Sequence, residues 1–138
     1  MDTHQISAAF THGMAFKANI NGHTLITDTN IEGGGNDEGP SPKRLMLASL
    51  AGCTGIDVVS ILNKMKVDFS NFSIDVSAGL TDEHPKIYKD VMITYRIKVD
   101  QADKPKMEKA VKLSKEKYCG VSAMFSAFAK VESEIIYL

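Results

Sequence analysis

The sequence predicts a single α+β domain over residues 1–138, and three observations support this class. The chain has 138 residues, 43% of them hydrophobic, which suits one compact core and leaves no room for a second domain. Residues 72–80 and 91–99 alternate apolar and polar side chains, as half-buried strands do. Residues 41–66 are apolar in nearly every direction around a helix axis. We therefore expect antiparallel sheets with a long buried central helix.

The N-terminal region predicts a β-meander followed by a loop. Short β-like runs between Ile6 and Thr29 are broken by Asn21-Gly22, a dipeptide that favours a two-residue hairpin. The following segment, IEGGGNDEGPSP, holds three consecutive glycines and two prolines, which excludes regular structure. It does not match a phosphate-binding loop, because no Gly-Lys-Ser/Thr sequence follows.

The central helix is predicted to begin near Ser41-Pro42, an N-cap and first-turn pair, and to end near Lys66. A helix that is apolar all round must be surrounded by protein. Because one sheet of such a small domain covers only one side of the helix, we expect a second subunit on the other. The sequence therefore predicts a homodimer.

The C-terminal half predicts an amphipathic hairpin, two more helices and a last strand. The strict alternation in the hairpin is typical of an antiparallel sheet. Asp103 and Pro105 open the second helix, whose buried face carries Met107, Ala110, Val111, Ser114 and Tyr118. Gly120 is expected to end this helix and Ser122 to cap a third one. The last strand covers 131–138.

Charge and composition exclude several classes of partner. Sixteen basic and seventeen acidic side chains leave a formal net charge of −1, so nothing attracts nucleic acid or anionic lipid. The first ten residues lack the cationic start and apolar run of a secretory signal. Asp57 lies inside the most apolar stretch, where a membrane span would make a carboxylate costly. We expect a cytoplasmic protein without membrane or nucleic-acid partners.

Cys53 lies inside the apolar helix between Gly52 and Gly55, within LASLAGCTGIDVVSIL. Glycine costs a helix roughly 1 kcal/mol relative to alanine, so these two serve either close packing or room for a substrate beside the sulfur. Asp57 is four residues further on, on the same face of the helix. Its charge opposes a thiolate at Cys53 unless a cation lies nearby or the carboxylate turns away.

Cys119 lies in KEKYCGVS, after Lys115 and Lys117 and between two predicted helices, a position that suits an accessible, partly activated thiol. In a reducing compartment the two cysteines are either inert buried thiols or a transient catalytic pair. Their separation matches neither a CxxC motif nor metal-ligand spacing, so we expect no metal.

The motifs GPSPKRLMLASLAGCTGIDVVSIL and SKEKYCGVS, in this order around an amphipathic hairpin, resemble the OsmC/Ohr family of osmotically induced and organic hydroperoxide resistance proteins. The resemblance extends from about Phe10 to the C-terminus and is closest to the YhfA-like branch. It implies an OsmC-like fold of two intertwined subunits with composite sites at their interface. It also implies that Cys53 attacks a hydroperoxide and that Cys119 resolves the resulting sulfenic acid as a disulfide.

The sequence departs from the peroxidase branch of that family at two places. That branch carries a thiolate-stabilising Arg in its N-terminal sheet and a Glu shortly after the proline of the pre-helix motif. Here the only arginines are Arg44 and Arg96, and Lys43 follows Pro42. Lys43, Arg44 or Lys17 could supply the missing positive charge, although a lysine lacks the planar fork of an arginine.

The functional hypothesis is an enzyme, a thiol-dependent peroxidase that acts in stress defence. Cys53 and Cys119 would reduce small organic hydroperoxides, and an external dithiol would restore both thiols. No metal, haem or flavin cofactor is implied. The alternative is a dimeric stress-related protein that binds an apolar ligand in the interfacial pocket and has no peroxidase activity.

Overall fold

The computed structural model describes residues Met1–Leu138. The chain forms two compact units, Met1–Met46 and Leu47–Leu138. Each unit is described by itself. The expectation of a single domain over residues 1–138 stays a prediction.

The first unit is a three-stranded antiparallel sheet followed by a loop. Its strands are β1 (Ser7–His12), β2 (Ala15–Ile20) and β3 (His23–Thr27), in the order β1-β2-β3. Asn21 and Gly22 have φ values of 39° and 89°, which the two-residue turn between β2 and β3 requires. The predicted meander is confirmed.

A buried carboxylate organises the glycine-rich loop of the first unit. The Asp28 side chain accepts hydrogen bonds from the backbone N–H groups of Thr29 at 2.7 Å and of Asn36 and Glu38 at 3.2 Å each. These bonds, that of Thr29 above all, lower the pKa of Asp28. The sequence predicted the loop but not the role of Asp28, whose side chain binds the loop backbone at three positions.

The central helix α1 covers Pro42–Lys64, close to its predicted bounds. Its buried residues are Leu50, Thr54, Val58, Ile61 and Leu62. One side of the helix remains uncovered in the single chain, where Ile56 is 73% exposed, as expected if a second subunit covers it; that second subunit stays a prediction. By length and composition α1 could cross a membrane, a test that the core helix of a soluble protein also passes.

The second unit contains a mixed sheet of β4 (Phe69–Leu80), β5 (Tyr88–Val99) and β6 (Lys130–Tyr137), with β5 in the centre. The predicted hairpin is confirmed, since β4 and β5 pair antiparallel. The prediction of a purely antiparallel arrangement is wrong, because β6 runs parallel to β5. A parallel neighbour needs a crossover connection, and the helices between β5 and β6 provide it.

The crossover contains a 3-10 turn (Gln101–Asp103), α2 (Lys104–Leu113), a π-helical turn (Ser114–Tyr118) and α3 (Gly120–Ser126). The second helix therefore ends as an α-helix earlier than predicted, and Tyr118 is exposed. The backbone N–H of Cys119 bonds to the carbonyl of Ser114 at 2.8 Å, which closes the π-helical turn. This bond sets Cys119 at the end of one helical segment and the beginning of the next.

One hydrophobic core unites α1, the sheet and the crossover of the second unit. It includes residues from α1, the alternating inward residues of β5, one face of α2, and Cys119 with Phe125. Among these are Leu50, Val58, Leu62, Val91, Ile93, Tyr95, Ile97, Met107, Ala110 and Val111. The core thus fixes the helix that carries Cys53 against the crossover that carries Cys119.

Candidate functional site

The fold brings the two cysteines together. Cys53 lies in the middle of α1 and is half-buried, whereas Cys119 is the N-cap residue of α3. Their sulfurs and a carboxylate oxygen of Asp57 all lie within 4.8 Å of one another. Both cysteines are free thiols. The expectation that the two sulfurs approach one another is confirmed.

Cys119 is a buried thiol that stays protonated. The prediction that it is accessible is wrong, because only 3% of its surface is exposed. Burial, followed by a hydrogen bond with Cys53, raises the pKa of Cys119 to about 11. The backbone N–H of Ser122 donates to the sulfur at 3.2 Å and acts in the opposite direction. The sulfur of Cys119 thus caps α3, a role that the sequence assigned to Ser122.

Three buried hydroxyl groups lead to Asp57. The Ser114 hydroxyl donates to Asp57 Oδ2 at 2.9 Å, Thr54 Oγ1 lies 2.8 Å from Ser114 Oγ, and the Tyr95 hydroxyl lies 2.6 Å from Thr54 Oγ1. A hydroxyl has one proton, so Ser114 must accept from Thr54, and Thr54 must accept from Tyr95. All three dipoles therefore point along one chain toward the carboxylate. We call Tyr95, Thr54 and Ser114 the hydroxyl relay.

The hydroxyl relay was missed by sequence reasoning, although a signal for it exists. Thr54 lies between apolar residues of α1, and Tyr95 occupies an inward position of β5. A buried tyrosine hydroxyl needs a partner, and a buried threonine offers one. What the sequence does not contain is the π-helical turn that begins at Ser114, whose hydroxyl lies between Thr54 and Asp57.

Asp57 does not turn away from Cys53, which was one condition for a thiolate there, although Lys64 and Lys109 line the same pocket as Asp57. It remains beside both sulfurs, and no Lys or Arg forms an ion pair with it. The cations that precede Cys119 are engaged elsewhere. Lys115 Nζ donates to the Val131 carbonyl at 3.0 Å, and Lys117 lies over the ring of Tyr118. The local charge of this site is therefore negative whenever a thiol ionises.

The two glycines beside Cys53 have different surroundings. A Cβ atom on Gly55 would lie 3.1 Å from Ile74 Cδ1, so this glycine allows α1 to approach β4 closely. A Cβ atom on Gly52 would meet nothing within 4 Å. Close packing therefore explains Gly55 alone, and the space beside Gly52 is open to a ligand or a partner.

The three cations expected to replace the family arginine all belong to the first unit. Lys17 lies on β2 and Lys43 in the first turn of α1, both exposed. Arg44 donates from Nη1 to Ser41 Oγ at 3.1 Å. Their role in stabilising a thiolate stays a prediction.

This geometry defines a small mixed α+β protein whose site is a dithiol beside a carboxylate. The family model described as OsmC-like protein matches residues 34–134. The chain therefore belongs to the OsmC-like family, as the cysteine motifs predicted.

Individual relatives agree with this assignment. Protein YhfA of Escherichia coli is 29% identical over 121 residues, which are 87% of each chain. The crystal structure of a hypothetical protein from Aquifex aeolicus has a TM-score of 0.81 at 27% identity, covering 100% of this chain and 99% of that one. The organic hydroperoxide resistance protein OhrB of Bacillus subtilis has a TM-score of 0.63 at 17% identity and covers 98% of both chains, a likeness of fold.

Proposed function

We propose that the protein is a thiol-dependent peroxidase that reduces small organic hydroperoxides through Cys53 and Cys119. The observation that carries the proposal is the close approach of two free sulfurs in a protein of the OsmC-like family. Structural relatives named as organic hydroperoxide resistance proteins supply the substrate class.

The reaction begins at Cys53, which is the more exposed of the two thiols. Its thiolate attacks one peroxide oxygen, the O–O bond breaks, and the alcohol leaves after taking up a proton. The product at Cys53 is a sulfenic acid. Cys119 reacts second. Its raised pKa keeps it a thiol, and therefore a poor nucleophile, while Cys53 attacks the peroxide. Its sulfur forms the disulfide with Cys53 and releases water.

Each turnover therefore consumes one peroxide and two thiols and yields an alcohol, water and a disulfide. An external dithiol, acting in the reducing cytoplasm, returns two electrons and restores both thiols. Apolar core residues lie around the pair, which favours alkyl peroxides over hydrogen peroxide.

We also propose that the working form is an intertwined homodimer. An open groove of about 600 Å³ runs along α1 beside the site and is lined by Gly52, Gly55, Ile56, Val59 and Phe72 among others. The groove exposes apolar side chains to solvent, above all that of Ile56, and a second subunit would bury them.

The groove also supports the alternative function, a dimeric stress-related protein that binds an apolar ligand and does not consume peroxide. The carboxylate of Asp57 beside the sulfurs favours this alternative, because it opposes formation of a thiolate.

Thiol titration separates the two functions. The reduced protein receives one equivalent of cumene hydroperoxide, and its remaining thiols are counted. We expect the loss of two thiols per chain. A full count of thiols after prolonged exposure would contradict the peroxidase and support the ligand-binding protein.

Two serine variants then assign the roles of the cysteines. Cys53→Ser should consume no peroxide, because a hydroxyl is far less nucleophilic than a thiolate. Cys119→Ser should retain a sulfenic acid at Cys53 that dimedone traps and that excess peroxide over-oxidises. Exchange of these two phenotypes would reverse the assignment.

A further inference from the structure

We propose that Cys53, Asp57 and Cys119 in the reduced protein form a binding site for a thiophilic divalent cation such as Zn²⁺. The sequence separation of the cysteines gave no sign of a metal site. The fold removes that objection, because it places three ligand atoms from α1 and the crossover within 4.8 Å of one another.

The distances suit such an ion. Thiolate sulfurs lie about 2.3 Å from Zn²⁺, so two of them at the tetrahedral angle are about 3.8 Å apart. The observed limit of 4.8 Å therefore requires the two sulfurs to approach each other by at most about 1 Å. Cys53 and Asp57 are one turn apart on the same face of α1, so helix geometry fixes two of the three ligands relative to each other.

The groups around the ligands hold them in place. Ser114 donates to Asp57 Oδ2, and the buried hydroxyl relay behind it fixes the orientation of Ser114. The N–H of Ser122 donates to the sulfur of Cys119. Hydrogen bonds of this kind to ligating carboxylates and thiolates orient them and tune the metal.

The charge and donor types select the cation. Two thiolates and a carboxylate carry three negative charges, and no lysine or arginine forms an ion pair with Asp57. Two sulfur donors favour Zn²⁺ over Mg²⁺ or Ca²⁺, which prefer sites made of oxygen. Three protein ligands leave a fourth position for water or a small ligand.

Binding and oxidation exclude one another. Zn²⁺ displaces the two thiol protons, and both leave to solvent without any transfer of electrons. Oxidation of the same sulfurs to a disulfide removes both thiolate ligands. The oxidised protein should therefore release the metal.

The experiment is a titration of the reduced, metal-free protein with Zn²⁺ in competition with a chromophoric chelator, repeated with Co²⁺ and with Mg²⁺. We expect one Zn²⁺ per chain, no binding of Mg²⁺, and no binding of Zn²⁺ by the disulfide form. Co²⁺ should give a thiolate-to-metal charge-transfer band and the intense visible bands of a tetrahedral site. Binding below one equivalent, or equal binding by the disulfide form, would overturn the proposal.

Variants test the ligand set. Asp57→Asn preserves the shape of the side chain and should weaken Zn²⁺ binding and alter the Co²⁺ spectrum, whereas Asp68→Asn removes the same charge at an exposed position and should change neither. Ser114→Ala should weaken binding by roughly 10–100-fold, as loss of a group that orients a ligand does. Wild-type affinity and spectrum in Asp57→Asn would show that the carboxylate is not a ligand. The titration contains no peroxide, so its result does not depend on the proposed peroxidase activity.

Discussion

Replacement of Thr54 by valine should destabilise the protein by removing the middle of the hydroxyl relay. Thr54 is 1% exposed and is bonded to Tyr95 at 2.6 Å and to Ser114 at 2.8 Å. Valine has nearly the same shape, so no cavity forms. Two hydrogen bonds of about 1 kcal/mol each are lost, and the buried Tyr95 hydroxyl is left without an acceptor. We expect the free energy of unfolding to fall by about 2–4 kcal/mol.

The assay is urea denaturation followed by far-UV circular dichroism at one fixed protein concentration, because association would make stability depend on concentration. Thr54→Ser is the matched control, since it keeps the hydroxyl and should cost only about 0.8 kcal/mol for one buried methyl group. Tyr95→Phe added to Thr54→Val removes the unpaired hydroxyl and should cause little further loss. A Thr54→Val variant within about 0.5 kcal/mol of wild type would refute the relay as a stabilising network.

Three further outcomes are expected. Because hydrogen bonds lower the pKa of Asp28, its ionised carboxylate stabilises the folded protein fully at pH values above 3.8, the ordinary pKa of an aspartate. This stabilisation is lost as the pH falls through the pKa of Asp28 in the folded protein. Acid melts should therefore show a steeper loss of Tm in wild type than in Asp28→Asn, and parallel curves would contradict this. Cys119 should resist alkylation until the pH approaches its pKa of about 11, as peptide mapping can show, and rapid labelling at neutral pH would contradict its burial. Sedimentation should give twice the 15.1 kDa chain mass, and Ile56→Glu should yield monomers; a folded wild-type monomer would contradict the proposed interface.

Patterns within a segment predicted the elements well. The period-two alternation identified β4 and β5, the apolar run gave α1 nearly to its ends, and Asn21-Gly22 located the turn of the first sheet. The family motifs predicted that Cys53 and Cys119 approach each other. Each of these depends on local periodicity or on a contiguous motif.

What depends on tertiary contacts was not predicted. The direction of β6 is determined by the crossover that precedes it, and the alternation of β6 is the same in either direction. The π-helical turn ends with a bond from Cys119 N to Ser114 O, which no residue type specifies. The burial of Cys119 follows from that turn. The prediction of an accessible thiol failed because it considered only the neighbours of Cys119 in sequence.

The parallel pairing of β6 determines where the chain can change its length. Cys119 lies on a connection that is fastened to the same sheet at both ends, by β5 before it and by β6 after it. An insertion between residues 104 and 129 therefore lengthens the connection that carries Cys119, whereas an insertion in the polar loop that joins β4 to β5 does not. Loss of the last eight residues would remove most of β6 and leave the C-terminal end of the connection unattached to the sheet. The C-terminal strand therefore helps to position Cys119 beside Cys53, although it contains neither cysteine.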